Sequence, residues 1–156
     1  MRNPVSRCVP AAHAVDAGGR PPRVLDPACG PGALLRAGLR RLLDLGVPAA
    51  EAAGCLHGVD TDPVALAVCR TVLAAEVTEH GHPLRPADLE HRIIQGDALI
   101  GPTPSVAGPD GSLAWHLAFP DVLDVDGEPA EPVTGWRGGF DAVIANPPWE
   151  RLKVIA

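Results

Sequence analysis

A group of hydrogen-bond acceptors follows an apolar stretch near the end of the sequence. Residues 140–145 are mostly apolar, and after them come Asn146, Pro147, Pro148 and Trp149. Consecutive prolines have no N–H donors and leave their carbonyl oxygens free, so with the Asn146 side-chain oxygen they can face an amino group. Such acceptors orient an amine and polarise it for attack on an electrophilic methyl group, while the indole ring can stack on a planar base or amide. The alternative is a Pro-Pro loop whose tryptophan only packs.

A second candidate is the glycine-bearing turn at residues 26–32, which reads Asp-Pro-Ala-Cys-Gly-Pro-Gly after a short apolar run. Gly30 and Gly32 would let a ligand approach the backbone without interference from a Cβ atom. The glycine spacing differs from G-x-G-x-x-G, and the Lys-Ser/Thr of a phosphate loop is missing, which disfavours dinucleotides and ATP. An aspartate at a strand end before this turn suits a nucleoside-like cofactor. An ordinary turn between a strand and a helix is the alternative.

Two further carboxylates end predicted strands. Asp60 follows the apolar segment 55–59, and Asp97 comes soon after the segment 92–95. The carboxylate of Asp60 could accept hydrogen bonds from both hydroxyls of a ribose, and that of Asp97 could accept one from an exocyclic adenine amine. Either could instead have no functional role, Asp97 as a solvated turn residue. Asp62 has a separate explanation, because Asp-Pro predicts a helix N-cap with proline at the first helical position.

These residues need a sheet to bring them together. The elements run strand, helix, strand, helix, strand, loop, strand, which predicts an α/β fold with an open, mostly parallel sheet and helices on its faces. In such a sheet, ligands bind beyond the carboxyl ends of the strands, where all four candidate segments lie. The first helix, predicted over 33–45, carries Leu35, Leu39 and Leu42 on one face. One side of the second helix is formed by Val64, Ala67, Val68, Thr71, Val72 and Ala75.

The joint pattern resembles motifs I to IV of the N6-adenine-specific DNA methyltransferases. The four matching segments are, in order, Asp26–Gly32, Gly58–Pro63, Gly96–Leu99 and Asn146–Trp149. The stretches 115–122 and 139–141 are similar to large bacterial members, namely the fused restriction–methylation enzymes and the phage-exclusion methylases. The resemblance covers roughly residues 23–153, and it is specific as a combination, whereas each piece alone is not.

The resemblance implies a Rossmann-like methyltransferase fold and S-adenosylmethionine as the cofactor. Asp60 would bind the ribose hydroxyls, with Thr61 beside the adenine of the cofactor. Asp97 would hold the amine of that adenine, and Ala98 belongs to the same cofactor-binding set. The residues that would line the methionine portion are Asp26, Pro27, Ala28, Cys29, Gly30 and Gly32.

The resemblance also implies the reaction, which is site-specific methylation of adenine N6 in DNA. Asn146 and the carbonyl of Pro147 would accept the hydrogens of the target amine, with Pro148 in the same tetrapeptide. Trp149 would stack on the adenine, since such enzymes act on a nucleotide flipped out of the duplex. The methyl group would pass by direct in-line displacement, so that positioning and electrostatics carry the catalysis and no covalent enzyme intermediate forms.

The sequence departs from this family at both ends. We expect residues 1–22 to be an irregular leader, because they lack the aromatic and Thr-Pro segment that usually precedes motif I. Residues 23–156 would form a partial catalytic domain with a Pro/Gly-rich insertion at about 100–139. The family continues after motif IV with more strands and a target-recognition region. We therefore expect a truncated piece whose sheet is incomplete at its C-terminal end, with a complementary methylase fragment or a restriction subunit as partner.

The composition limits which partners and which cellular compartment the chain is expected to have. The formal net charge is −6, whereas a free-standing DNA-binding module usually has a basic face, so most of the grip on DNA would come from regions absent here. The four cysteines have no C-x-x-C spacing, and the histidines form no ligand cluster, so we predict no metal site. Reduced thiols, the lack of a signal-peptide pattern and the lack of an apolar run of ~18 residues predict a cytoplasmic protein without a membrane partner.

Two rival functions stay open. The first is methylation of another amine or amide, in a protein glutamine or an RNA guanine, because such enzymes also use Asn-Pro-Pro with an aromatic residue. Asp-Pro-Ala-Cys-Gly in the turn and tryptophan at position 149 favour the DNA-adenine group. The second is a non-catalytic remnant or assembly piece, which the acidic charge and the expected truncation favour.

Overall fold

The computed structural model describes residues 22–99, 113–124 and 137–146 of the chain, and the elements below lie within these ranges. The strands are β1 (Val24–Asp26), β2 (Leu56–Asp60), β3 (Ile93–Gln95), β4 (Leu123–Asp124), β5 (Arg137–Gly138) and β6 (Ala142–Val143). The helices are α1 (Ala33–Asp44), α2 (Ala49–Gly54), α3 (Pro63–Glu79) and α4 (Trp115–Ala118), and a 3₁₀ turn covers Pro86–Leu89.

Four of the strands form one parallel sheet. Their order is β3-β2-β1-β6, and every neighbouring pair is parallel. Parallel neighbours need crossover connections, which α1 and α2 supply between β1 and β2 and α3 supplies between β2 and β3. The predicted α/β, Rossmann-like fold with an open parallel sheet is therefore confirmed. Strands β4 and β5 form a separate antiparallel pair.

Helix α1 forms where the leucine spacing predicts it. Leu35, Leu39 and Leu42 are all buried, because residues spaced by three or four positions share one face of a helix. They pack into a core on one face of the sheet together with Val24, Leu56 and Ile93 of the strands. The helix ends at Asp44, and Gly46 with a φ of +83° turns the chain away.

Helix α3 begins as predicted but buries the side opposite to the one singled out in the sequence. The Asp62 side chain caps it by accepting a hydrogen bond from the Val64 N–H at 2.8 Å, with Pro63 at the first helical position. Val64 is 70% exposed and Val68 45% exposed. The buried side is formed by Leu66, Cys69, Leu73, Ala74, Glu76 and Val77. The helix is apolar almost all round, so periodicity alone does not choose a face, and the side with the large leucines packs against the sheet.

A buried carboxylate ties α1 to α3. Arg36 Nε and Arg40 Nε lie 2.6 Å from the two oxygens of Glu76, whose side chain is 5% exposed. The hydrogen bonds from Arg40 and then Arg36 lower the pKa of Glu76 to about 2 against the effect of desolvation. The carboxylate is therefore charged and compensated at neutral pH, as a buried acid must be.

The other face of the sheet is covered by part of the predicted insertion. Leu113, Phe119 and Val122 pack with Leu25 and Val59 into a second core. This segment lies on the face that α1, α2 and α3 leave uncovered. The rest of the predicted insertion, 100–112 and 125–136, lies outside the described residues, as do 1–21 and 147–156.

A buried histidine anchors this second layer. His57 is fully buried between the rings of Phe119 and Phe140, with ring centroids 5.4 and 5.2 Å away. Its Nδ1 lies 3.2 Å from the Cys55 carbonyl oxygen, and its Nε2 lies 2.8 Å from a guanidinium nitrogen of Arg92. Burial, and then the charge of Arg92, lowers the pKa of His57 to about 4. The ring is therefore neutral, with Nδ1–H donating to the carbonyl and Nε2 accepting from Arg92.

Arg92 connects the histidine to the covering segment. Its guanidinium also lies 3.3 Å from the carboxylate of Asp121.

Among the described residues, no helix is long and apolar enough to cross a bilayer. Within the same ranges, no group of three or more His, Cys, Asp or Glu side chains is arranged to hold a metal ion.

Candidate functional site

The carboxyl ends of β2, β1 and β6 meet at one edge of the sheet. Asp26 at the end of β1 lies opposite Gly58 of β2, and Leu25 lies opposite Val143 of β6. The chain leaves β1 toward β2 on one side, while β6 pairs on the other side, so the strand order reverses at β1. In open α/β sheets, such a reversal opens a crevice at the carboxyl ends of the strands.

The carboxylate of Asp60 is the centre of this edge. Its Oδ2 accepts a 2.8 Å hydrogen bond from the Gly30 N–H, and its Oδ1 accepts a 2.9 Å bond from the Asp62 N–H. A carboxylate oxygen has two acceptor positions, so these backbone bonds leave acceptor capacity on both oxygens of the half-buried side chain. Two adjacent acceptors suit a vicinal diol such as that of a ribose.

Asp26 supports the turn from inside. It is 1% exposed, and its Oδ1 accepts a 3.1 Å hydrogen bond from the Ala28 N–H. Burial raises the pKa of Asp26, the Ala28 bond opposes this, and the nearby charge of Asp60 adds to the rise. The Cys29 N–H donates to the Val59 carbonyl at 2.9 Å, which continues the β1–β2 pairing into the turn. The surface that the turn offers to a ligand therefore comes from the half-buried Pro27, Ala28 and Gly30 and the exposed Pro31.

The two glycines of the turn have different surroundings. Gly30 has a φ of +50°, and a Cβ atom added there would meet nothing within 4 Å. Gly32 has a φ of +89°, and its added Cβ would lie 2.6 Å from Cys69 Sγ. Both need glycine for a left-handed backbone, but open space for a ligand exists only at Gly30. Gly32 is required by packing against α3, a role that the sequence did not indicate.

The end of β3 is tied to the end of β2. Gly96 N–H donates to the Asp60 carbonyl at 3.0 Å, and the side-chain amide of Gln95 donates to the Thr61 carbonyl at 3.0 Å. The half-buried Asp97 accepts a 2.9 Å bond from the Leu99 N–H through its Oδ1. Thr61 and Asp97 therefore lie on neighbouring strand ends.

The sequence pattern did not predict a role for Gln95. Its register position opposite Asp60 would have indicated one, because a long amide side chain at the last position of a strand can reach the backbone just beyond the end of the neighbouring strand. The adjacent Gly96 is fixed by packing, because a Cβ atom there would lie 2.8 Å from Leu113 Cδ1. Ala98 is half-buried and packs against the second core.

The predicted catalytic tetrapeptide is described only at its first residue. Ile144 N–H donates to the Leu25 carbonyl at 2.8 Å, and Asn146 follows two residues later as an exposed residue. This places the Asn146 backbone just beyond the carboxyl end of β6, next to the end of β1. Pro147, Pro148 and Trp149 lie outside the described residues.

A comparison with protein families gives one match that spans most of the chain. The model of the Eco57I restriction-modification methylase family matches residues 54–156, which include β2, α3, β3 and the whole of 140–149. The glycine-bearing turn precedes the matched range. No match is found among curated proteins or solved structures.

Proposed function

The chain belongs to the Eco57I restriction-modification methylase family, a family of DNA methyltransferases, and we propose that its site serves the transfer of a methyl group from S-adenosylmethionine to adenine N6 in DNA. One observation carries this proposal. The Asp60 carboxylate, with acceptor capacity left on both oxygens, is bonded to Gly30 at the edge where the turn has open space. The same sheet edge leads to Asn146.

The residues at this edge fit the cofactor. Asp60 would accept the two ribose hydroxyls, and Thr61 and Ala98 would border the adenine. The carboxylate of Asp97 would accept a hydrogen bond from the adenine amine. Pro27, Ala28 and Gly30 would line the methionine portion, while the buried Asp26, Cys29 and Gly32 hold the turn in shape. When bound, S-adenosylmethionine supplies an electrophilic methyl group on a positively charged sulfur.

The remaining chemistry is the orientation of the target amine. The side-chain oxygen of Asn146 and the carbonyl of Pro147 would accept the two N6 hydrogens. These two hydrogen bonds draw electron density toward the nitrogen and orient its lone pair. Pro148 has no N–H that would compete for the acceptors. Trp149 would stack on the flipped base. These residues act by position and charge, and no side chain forms a bond to the substrate.

The acidic charge of the chain constrains the DNA partner. With a net charge of −6, this chain gains little from phosphate neutralisation, which normally dominates the affinity for DNA. We propose that a complementary methylase fragment or a restriction subunit supplies most of the affinity for DNA, and that the complex works in the cytoplasm.

The test is a methyl-transfer assay with the full chain and tritiated S-adenosylmethionine. The substrates are unmethylated duplex DNA, tRNA and a peptide release factor, and the DNA is digested so that the labelled nucleoside can be identified by mass spectrometry. We expect label in N6-methyladenine, and its loss in Asn146→Ala. Glu90→Gln, an exposed change on the turn before β3, is the control that keeps activity.

Other outcomes would overturn the proposal in distinguishable ways. Label found only in the release factor would assign the site to glutamine methylation, and label only in tRNA to guanine methylation. Cofactor binding without transfer to any substrate, even at DNA concentrations high enough to offset weak DNA binding, would support the non-catalytic alternative for this chain.

A further inference from the structure

Two buried thiols lie behind the turn that contains Gly30. Cys29 belongs to the turn and is 5% exposed, and Cys69 belongs to α3 and is 0% exposed. The interaction of the two thiols, together with burial, raises the pKa of the Cys29 thiol. Both thiols are free rather than joined in a disulfide. Cys29, a buried thiol with a raised pKa, is therefore a packing group rather than a nucleophile.

Each thiol occupies space next to a glycine backbone. A Cβ atom at Gly32 would lie 2.6 Å from Cys69 Sγ and 3.3 Å from Cys69 Cα. A Cβ atom at Gly58 on β2 would lie 3.0 Å from Cys29 Sγ. The turn, β2 and α3 are therefore packed too closely at these points to admit a Cβ atom without a shift, because Cβ atoms are essentially never found closer than 3.0 Å to another heavy atom.

Cys69 supports the turn around Gly30. It packs on Gly32, two residues after Gly30, and the Gly32 N–H donates to the carbonyl of Cys29, one residue before Gly30, at 2.9 Å. Between these two fixed points, the Gly30 N–H is aimed at Asp60 Oδ2. A loss of volume at Cys69 would leave both neighbours of Gly30 without their support.

We propose that Cys69 is a positioning residue of the cofactor site, which acts through Cys29 and Gly32 to hold the Gly30 N–H on the Asp60 carboxylate. It touches neither substrate nor reacting atoms. The inference rests on the proposed function for its ligand, S-adenosylmethionine, but the geometry that it claims exists without the ligand.

The chain offers a matched control. Cys55 is also 5% exposed and free, but it lies at the opposite end of β2, where its Sγ donates to the Glu51 carbonyl at 3.1 Å. Cys69→Ala and Cys55→Ala both remove one buried sulfur, so both lower the free energy of unfolding. Only Cys69→Ala should weaken S-adenosylmethionine binding in isothermal titration calorimetry of the full chain. We expect a Kd about tenfold higher, in line with the effect of small misplacements in preorganised sites.

A second readout does not depend on the cofactor. Amide hydrogen exchange measured by NMR should show faster exchange of the Gly30 N–H in Cys69→Ala, relative to core amides such as Val59, and no such change in Cys55→Ala. An unchanged Kd together with an unchanged Gly30 exchange rate would overturn the proposal. If the unmodified chain does not bind S-adenosylmethionine, the cofactor assignment fails, and the exchange rate of Gly30 alone decides the role of Cys69. If Cys69→Ala does not fold, Cys69→Val replaces it in both measurements, because its branched side chain also displaces the turn at Gly32.

Discussion

The backbone N–H of Gly30 donates a 2.8 Å hydrogen bond to Oδ2 of Asp60, a residue 30 positions further along the chain. This bond joins the turn after β1 to the end of β2. The other carboxylate oxygen is held by the Asp62 N–H at 2.9 Å. The side chain is therefore fixed before any ligand arrives, which reduces the cost of ordering it on binding.

Asp60→Asn should weaken S-adenosylmethionine binding while the chain stays folded. The substitution replaces one acceptor oxygen with an NH₂ donor, and both oxygens face a backbone N–H. In either orientation of the amide, its NH₂ group therefore faces a backbone N–H, and two hydrogen-bond donors oppose each other. Loss of a charged hydrogen bond of ~1.5–3 kcal/mol corresponds to a Kd about tenfold to a hundredfold higher, measurable by calorimetry.

Asp62→Asn is the control for the loss of charge. It removes the same charge two residues away, and asparagine caps a helix about as well as aspartate does, so the bond to Val64 N–H can remain. Cofactor affinity should match that of the unmodified chain. Equal affinities of Asp60→Asn and Asp62→Asn would remove Asp60 from the cofactor site.

Gly30→Ala should weaken cofactor binding more than it destabilises the fold. Gly46 provides the comparison, because it has a φ of +83° beside +50° at Gly30, and an added Cβ meets nothing within 4 Å at either position. Both changes to alanine should cost ~1 kcal/mol of unfolding free energy through backbone strain. Urea unfolding checks this part. Only Gly30 lies in the turn whose N–H bonds the Asp60 carboxylate, and there the new methyl group fills open space at the proposed cofactor site, so calorimetry should find weaker binding there and not in Gly46→Ala.

Gly32→Ala should destabilise the fold more than Gly46→Ala does. The two φ angles are +89° and +83°, so the backbone strain is similar, but the new methyl at Gly32 would lie 2.6 Å from Cys69 Sγ. Overpacking of this kind adds ~1–3 kcal/mol. A double-mutant cycle with Cys69→Ala isolates this contact. We expect Gly32→Ala to cost less in the Cys69→Ala background, and strictly additive changes would contradict the contact.

The sequence predicts the parts of the structure that depend on local patterns. The leucines at 35, 39 and 42 mark the buried face of α1, and Asp62-Pro63 marks the start of α3. The prediction that four segments lie at strand ends rests on the alternation of elements, and the parallel order of β3, β2, β1 and β6 agrees with it. The buried face of α3 is not predictable in this way, because Val64 and Leu66 belong to opposite sides that are both apolar.

Contacts between distant residues could not be predicted, because they depend on register and depth. The bond between Gly30 and Asp60 requires the β1–β2 register, and the contact between Gly32 and Cys69 requires the distance of α3 from the turn. His57 lies in a strand that reads as an ordinary apolar run with one polar residue. The packing of Phe119 and Phe140 on the second face makes that histidine fully buried.

The stability of the fold should fall as the pH drops from about 6.5 to about 4. Burial, and then the charge of Arg92, lowers the pKa of His57 from its ordinary 6.5 to about 4, while the Asp121 carboxylate acts weakly in the opposite direction. Between these values, the unfolded chain binds a proton at His57 and the folded chain does not. This contribution is therefore fully present above about pH 6.5, decreases below it, and is gone near pH 4, for a total of about 3 kcal/mol.

Urea unfolding at pH 7, 5.5 and 4 measures this dependence, and His57→Gln is the variant to compare. A glutamine can donate to the Cys55 carbonyl and accept from Arg92, the two bonds that His57 makes, but it does not titrate. Other groups contribute equally to both proteins and cancel in the difference, including Asp26, whose raised pKa gives stability in the opposite direction as the pH falls. The difference in unfolding free energy should therefore change by about 3 kcal/mol over the window from 6.5 to 4. Parallel curves for the two proteins would show that His57 has the same pKa in the folded and unfolded chain, and would contradict a lowered pKa for the histidine beneath Phe119 and Phe140.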